Sequence, residues 1–250
     1  MTNQIAIVRA DTRIQHRAIN DPFSRYKPES EKCIKQFKIK ENEIVKQMKE
    51  VFRTVKSFDL HRPKDYIRML KLVKNIRVSS QDITLFSIAI SEFQLDPNCH
   101  HNMGQFLSVL INNCRKKEFT ISTKHFGIPI DALSFKAKKR ITIQGDVRTL
   151  AGYGMQRGSI TINGNAENNL GMFAVGSSIT VNGNAGDWVG WNMKNSTITV
   201  KGNAGERIGR FMRSGTIFLE GEYTSLSDEI KGGNIFHKGK QIVKNGKRLI

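Results

Sequence analysis

Cysteine is scarce in this 250-residue chain: Cys33, Cys99 and Cys114 stand at irregular spacing. Three scattered cysteines are too few for a disulfide framework. Long apolar runs are also missing. The longest, Ile83 to Ile90, is interrupted by Ser87 and falls far short of the roughly 20 residues a membrane span needs. The opening MTNQIAIVRA has no apolar core, so no secretory signal is read there. These absences together lead to the expectation of a cytoplasmic protein without a membrane segment. Acidic residues are in deficit, 22 against 40 Lys+Arg, for a net charge of +18. Residues 1–140 carry 27 basic and 14 acidic residues (+13), and residues 141–250 carry 13 and 8 (+5). Such a basic protein has either a solvated lysine-rich surface or an acidic partner: nucleic acid, an anionic cofactor or an acidic subunit.

Glycine is almost absent from the first half. Gly104 and Gly127 are the only ones before position 140, and the remaining 19 of 21 follow it. The chain therefore divides into a helical part and a repetitive one. Residues 1–28, where Pro22 and Pro28 bracket DPFSRYKP, read as an extended arm. Residues 29–117 read as a small helical domain. Ile44, Val45, Met48, Val51, Phe52 and Val55 have helical spacing, and Pro63 opens a second helix carrying Tyr66 to Ile76. Ser80 is the expected cap of a third, and a fourth is expected from about Asn102 to Asn113. These helices either form a bundle of their own or pack directly on the second half.

Residues 118–250 contain an internal repeat. The triplets beginning at Ile141, Ile160, Ile179, Ile198 and Ile217 are each 19 residues apart. A first glycine column follows them at Gly145, Gly164, Gly183, Gly202 and Gly221, and a second at Gly152, Gly171, Gly190 and Gly209. A third column holds Met155, Ala174, Met193 and Met212. Apolar-Thr-apolar is a short strand, and glycine two residues later suits a tight turn with positive φ. No helix fits inside a block, and a propeller blade needs about 40 residues. One block is thus a coil of a parallel β-helix, with isoleucine stacked on isoleucine and methionine on methionine inside. The fold class is α+β: a small helical domain followed by a β-helix with 19-residue coils. Asn165, Asn184 and Asn203 share a column expected to form an amide ladder. The columns Leu150, Asn169, Trp188, Arg207 and Tyr153, Met172, Trp191, Arg210 change chemistry at each step. An unpaired arginine cannot occupy a narrow apolar coil, so these columns belong outside or at corners. Tyr153, Trp188, Trp191, Arg207 and Arg210 then make an aromatic and basic strip. It is either a surface for a partner protein or a corner packed under the helices.

The blocks GNAGDWVGWNMKNSTITVKG (183–202) and GNAGERIGRFMRSGTIFLEG (202–221) resemble a Gly-rich (GXGXG) repeat domain. That domain is shared by the repeat-bearing subunit of formylmethanofuran dehydrogenase and the C-terminal domain of the large glutamate synthase subunit. The resemblance covers about 110 residues, from Ile141 onward. It implies a right-handed, single-stranded parallel β-helix that is non-catalytic and holds neighbouring catalytic domains or subunits in place. Two blocks depart from the pattern. Block one has QGDVRT at 144–149, and block five has Asp228 in place of the second glycine, where the stack is expected to close. The helical 115 residues match neither relative.

Chemical motifs are few. Cys99-His100-His101 with Cys114 has metal-ligand types, but adjacent histidines rarely reach one ion, and a loop at a helix start is the favoured reading. Phosphate-loop, nucleophile-elbow and zinc-protease motifs are missing. Asp187 and Glu206 share a column, where a surface ion pair with Arg207 or Arg210 is expected. Lys136, Lys138, Lys139 and Arg140, with Arg115, Lys116 and Lys117, form a local basic patch, either a solvated linker or a phosphate contact. No catalytic residue, cofactor or metal site is read from the sequence. The expected function is a scaffold or assembly subunit, not catalytic alone, that joins another protein subunit in an oxidoreductase or amidotransferase complex. The alternative is a nucleic-acid-binding protein using the basic helical half. A free-standing enzyme working in a groove along the coils ranks last.

Overall fold

A computed structural model of the chain describes residues 41–55, 63–94 and 96–249. The expected arm at 1–28 and the start of the helical domain at 29–40 lie outside them. Four helices come first: α1 (Glu43–Thr54), α2 (Pro63–Val73), α3 (Ser80–Ala89), which runs into a 3-10 turn at Ile90–Phe93, and α4 (Pro97–Asn113). Local chemistry sets their starts. Asn42 Oδ1 accepts from Val45 N at 2.8 Å and caps α1. The cap of α3 is Ser79, one residue before the expected Ser80. Its Oγ accepts from Asp82 N at 3.1 Å while Asp82 Oδ2 accepts from Ser79 N at 2.9 Å, a reciprocal capping box. The fourth helix begins at Pro97, earlier than the expected Asn102, and its backbone includes Cys99, His100 and His101.

The helices bury their apolar faces against one another. Phe52, Phe86 and Phe106 meet with ring centroids 5.2 to 6.5 Å apart. Lys49, almost fully buried, ties α1 to the 3-10 turn through Glu41 at 2.7 Å and Glu92 at 2.6 Å. Burial opposes its charge, but the hydrogen bonds to both carboxylates prevail and its pKa lies above the ordinary lysine value.

Seven parallel strands then stack in chain order: β1 (Glu118–Ser122), β2 (Arg140–Gln144), β3 (Ser159–Asn163), β4 (Ser178–Val181), β5 (Ser196–Val200), β6 (Gly215–Leu219) and β7 (Asn234–His237). An antiparallel β8 (Lys240–Lys244) and β9 (Lys247–Arg248) finish the sheet. This is a parallel β-solenoid of about six turns with the expected 19-residue spacing. Two steps break the period: Glu118 pairs with Arg140, a step of 22, and Thr216 with Asn234, a step of 18. The expected closure in block five does not occur. The stack continues into β7, and the β8–β9 segment ends it, with Arg248 anchored on Leu226 O at 2.9 Å and Asp228 at 2.8 Å.

Inward columns follow the strand alternation. Ile141, Ile160, Ile179, Ile198 and Ile217 are buried, as are Met155, Met193 and Met212. Two further columns join them: Val147, Ala166, Ala185, Ala204 and Ala151, Leu170, Val189, Ile208. The helices and coils share one hydrophobic core running from Val45 to Val243. Helix α3 packs beside β1, and α4 lies against the first coil. There Ser108 Oγ accepts from Phe135 N at 3.1 Å. Gly104 is the point of closest approach: a Cβ there would sit on the Asp131 carbonyl oxygen.

The glycine columns differ from one another. Gly152, Gly171, Gly190 and Gly209 have φ between 66° and 74°, as a left-handed turn requires. In the first column only Gly145 has positive φ. The others are glycine for closeness instead: a Cβ on Gly183 would lie 2.6 Å from Gly164 O on the coil below. The amide ladder also differs from expectation. Asparagine oxygens accept backbone N–H groups of the next coil rather than side-chain amides: Asn165 to Asn184 N at 2.9 Å, Asn184 to Asn203 N at 2.8 Å, Asn203 to Glu222 N at 2.9 Å. Asp146 begins this column by accepting from Asn165 N at 2.6 Å.

Among the described residues, no helix is long and apolar enough to cross a membrane. His125 joins helix to solenoid, with Nε2 2.9 Å from Ser87 O. Burial lowers its pKa and the hydrogen bond to Ser87 only partly opposes this, so the fold favours the neutral ring.

Three outcomes follow from this packing. Ile179→Asp places a carboxylate in a fully buried column and costs ~4 kcal/mol or more, whereas Ile179→Val costs about 1 kcal/mol. Gly104→Ala costs about 2 kcal/mol through overpacking; denaturant unfolding at neutral pH measures all three variants. For His125, the stabilisation is complete above the ordinary histidine value of about 6.5 and drains away as pH falls from there through the lower folded-state value. The urea midpoint of the parent should therefore drop between about pH 7.5 and 5.5 by more than that of His125→Gln, and equal drops would remove His125 as the cause.

Candidate partner-binding corner

Each coil turns one corner through residues of alternating handedness. Leu150, Asn169, Trp188 and Arg207 have φ between 54° and 64°. Two residues on comes the second glycine column, and two further Gly154, Phe173, Asn192 and Phe211, with φ between 53° and 62°. The alternation has a hydrogen-bonding reason. Leu150 N donates forward to Asn168 O at 3.0 Å, Gly152 N donates back to Leu133 O at 3.0 Å, and Gly154 N donates forward to Met172 O at 2.8 Å. The N–H groups of these every-second residues thus point by turns to the coils on either side, while Tyr153 N between them bonds Leu150 O of its own corner. A left-handed non-glycine residue costs roughly 1–2 kcal/mol, and bonding the corner to both neighbours offsets that strain. Ala132, Ser134 and Lys136 repeat the same alternation in the first coil, with serine in the glycine place at φ 69°.

The corner carries the strip. Tyr153 is half-buried, stacked on Phe135 at 5.2 Å and edge-on to Phe173 at 5.7 Å. Burial raises the pKa of its hydroxyl. Phe135 is fully buried and meets Tyr66 of α2 at 5.1 Å, so the lower end of the strip adjoins the helices. Trp188 is also half-buried, and its indole Nε1 is buried without a hydrogen-bond partner. Its neighbour in the column below, Asn169, has Oδ1 in the same condition. Trp191 is half-buried with the Arg210 guanidinium 5.5 Å from its ring centroid. Arg210 also lies 4.9 Å over Phe211 and bonds Glu229 at 2.9 Å. Arg207 is exposed, and its side chain has no partner among the described residues. The five strip residues therefore share one corner but not one degree of exposure. Both tryptophans lie half-buried against the coil, and of the five only Arg207 stands clear.

Two apolar residues of the strip are not evident from column chemistry. Phe173 (38% exposed) lies beside Trp191, its N–H donating to Trp191 O at 2.9 Å, and Val175 (43% exposed) follows it. Apolar residues in a column that turns outward are the signal that marks them. Above the strip, a cleft of about 850 Å³ is bounded by Arg207, Arg210 and Arg248 together with Ser225, Asp228 and Glu229.

Asp187 and Glu206 do not form the expected ion pairs. Asp187 Oδ1 accepts from Glu206 N at 2.8 Å, and Asn168 Oδ1 accepts from Asp187 N at 2.8 Å, a second side-chain-to-backbone ladder. Burial raises the pKa of Glu167 despite the opposing charge of Arg148. The side chains of Cys99, His100 and His101 lie outside the described residues. Cys114 is buried, and among the described residues no three His, Cys, Asp or Glu side chains gather as a metal site. Lys117, Lys136, Lys138, Lys139 and Arg140 of the basic patch do converge, and Arg157 joins them. Comparison with known protein families, curated proteins and solved structures finds no match.

Because Trp188 and Arg207 share a column but differ in burial, their alanine variants should separate. Trp188→Ala costs roughly 1–2 kcal/mol, and Arg207→Ala less than about 0.5 kcal/mol. Thermal unfolding of the two variants beside the parent tests this.

Proposed function

We propose that the chain is a non-catalytic assembly subunit whose solenoid corner docks a second protein. The observation that carries this reading is the upper corner itself, where Trp191, Phe173, Arg207 and Arg210 lie together on a backbone bonded to coils on both sides. Trp and Arg are the residue types that dominate binding hot spots, because they join large contact area to directed polar groups. A rigid scaffold also reduces the ordering cost of association. The unpaired charge of Arg207 favours an acidic group on the partner, whereas Arg210 and Arg248 at the same cleft are already paired with Glu229 and Asp228. The resemblance of the repeat blocks to the formylmethanofuran dehydrogenase and glutamate synthase domains supports an oxidoreductase or amidotransferase assembly as the setting. It likewise supports right-handed, single-stranded winding, and a cytoplasmic location accords with it.

The test uses a tagged full-length chain in native extract, with stoichiometric partners identified by mass spectrometry. The double variant Trp191→Ala, Arg207→Glu should melt within about 8 °C of the parent, stay folded at the assay temperature and lose the stoichiometric partner. Retention of that partner by a folded double variant removes the corner as the docking surface. Turnover by the purified chain alone removes the non-catalytic reading.

A further inference from the structure

A groove of about 690 Å³ lies where the end of α4 meets the first two coils. It gathers six cations from remote stretches of chain: Lys117 after α4, Lys136, Lys138 and Lys139 from the first coil, Arg140 at the start of β2, and Arg157 before β3. The register that pairs Arg140 with Ser159 sets Arg157 one coil above Lys138, so two like charges are stacked. Among the described residues only Arg140 of the six has a carboxylate partner, Glu118. Lys139 donates to the Cys114 carbonyl oxygen at 2.9 Å, near the C-terminal end of α4. Lys136 lies over the rings of Tyr66 and Phe135 at 4.9 and 5.4 Å. Lys117, Lys138 and Arg157 are exposed and have no ion-pair partner among the described residues.

The details select the kind of anion. A cradle for a single phosphate uses free backbone N–H groups or a guanidinium fork. Here four of the lining backbone donors are already used: Lys136 N bonds Tyr153 O at 2.9 Å, Arg140 N bonds Lys117 O at 2.9 Å, Arg157 N bonds Val175 O at 3.0 Å, and Ser159 N bonds Lys139 O at 2.9 Å. Four of the six cations are lysines, point charges on flexible stems, which suit a loose row of charges rather than one fixed oxyanion. Tyr66 carries Lys136 over its ring, so it is not an open stacking platform for a base. We infer that this groove binds the phosphodiester backbone of a nucleic acid through charge, without reading its bases.

The experiment is fluorescence anisotropy of the full chain with labelled mixed-sequence strands of about 20 nucleotides, titrated from about 50 to 250 mM KCl. With six phosphate contacts, log K should fall against log salt with a slope of roughly −4 on single strands. Lys138→Glu with Arg157→Glu should weaken binding at least about tenfold and flatten the slope by roughly 1.5. Lys201→Glu with Lys240→Glu, exposed lysines elsewhere with the same change in net charge, should weaken it less than about threefold. Circular dichroism confirms that both variants are folded. Equal loss in the two variants overturns the proposal, because net charge and not the groove then binds the strand. So does undiminished binding by the groove variant, or no binding at the lowest salt. A preference of more than about tenfold among strand sequences overturns the charge-only mode of binding.

Discussion

The hydrogen bond from one coil to the next is the interaction on which the rest of this structure depends. It recurs in the strands, at the corners and along the asparagine columns, so that nearly every residue of the stack is placed by its counterpart one coil away. A single such bond adds only about 1 kcal/mol net. A single coil, holding some five apolar side chains, could not offset the backbone entropy of ordering its residues. Stability is therefore a property of neighbours in contact, as in other solenoids. The interior columns obey the same rule: a side chain must fit the one above and the one below.

Stacks of this kind have two open ends, and unpaired strand edges invite association. The ends here are handled differently. Helix α3 packs beside β1, and α4 lies on the first coil through Gly104 and Ser108. At the other end β8 reverses direction against β7, breaking the parallel pairing, and Arg248 secures the turn on Asp228. The helical half thus shares its core with the solenoid instead of sitting apart from it.

How much of this was legible depended on whether a residue's neighbour lay at a constant step. The columns from Ile141 to Ile217 were legible because the period of 19 never wavers between them. The strands β1 and β7 were not, although Phe119-Thr120-Ile121 and Ile235-Phe236 have the right alternation, because their steps of 22 and 18 break the register. Gly104 reads as an ordinary helical glycine, since the backbone it accommodates comes 27 residues later. The left-handed corner was hidden for another reason. Leu150, Asn169, Trp188 and Arg207 have no chemistry in common, and their φ is imposed by the direction each N–H must face. That backbone does not fix exposure by itself: at the same corner position Trp188 is half-buried and Arg207 exposed. The basic patch was visible as a run, yet Arg157 joins it only through the stacking of coils.

The constant step has a geometrical consequence for the two surfaces of the molecule. The cationic groove belongs to the first coils and the arginine cleft to the last, and between them each coil adds about 4.8 Å of height. Their separation is therefore counted in whole coils, like rungs. Gain or loss of one 19-residue block would move one surface relative to the other by a single rung. Each surface would keep its own residues, because the coil above and the coil below would still meet in register. The length of the stack is in this sense a ruler with fixed gradations, adjustable without redesign of either end.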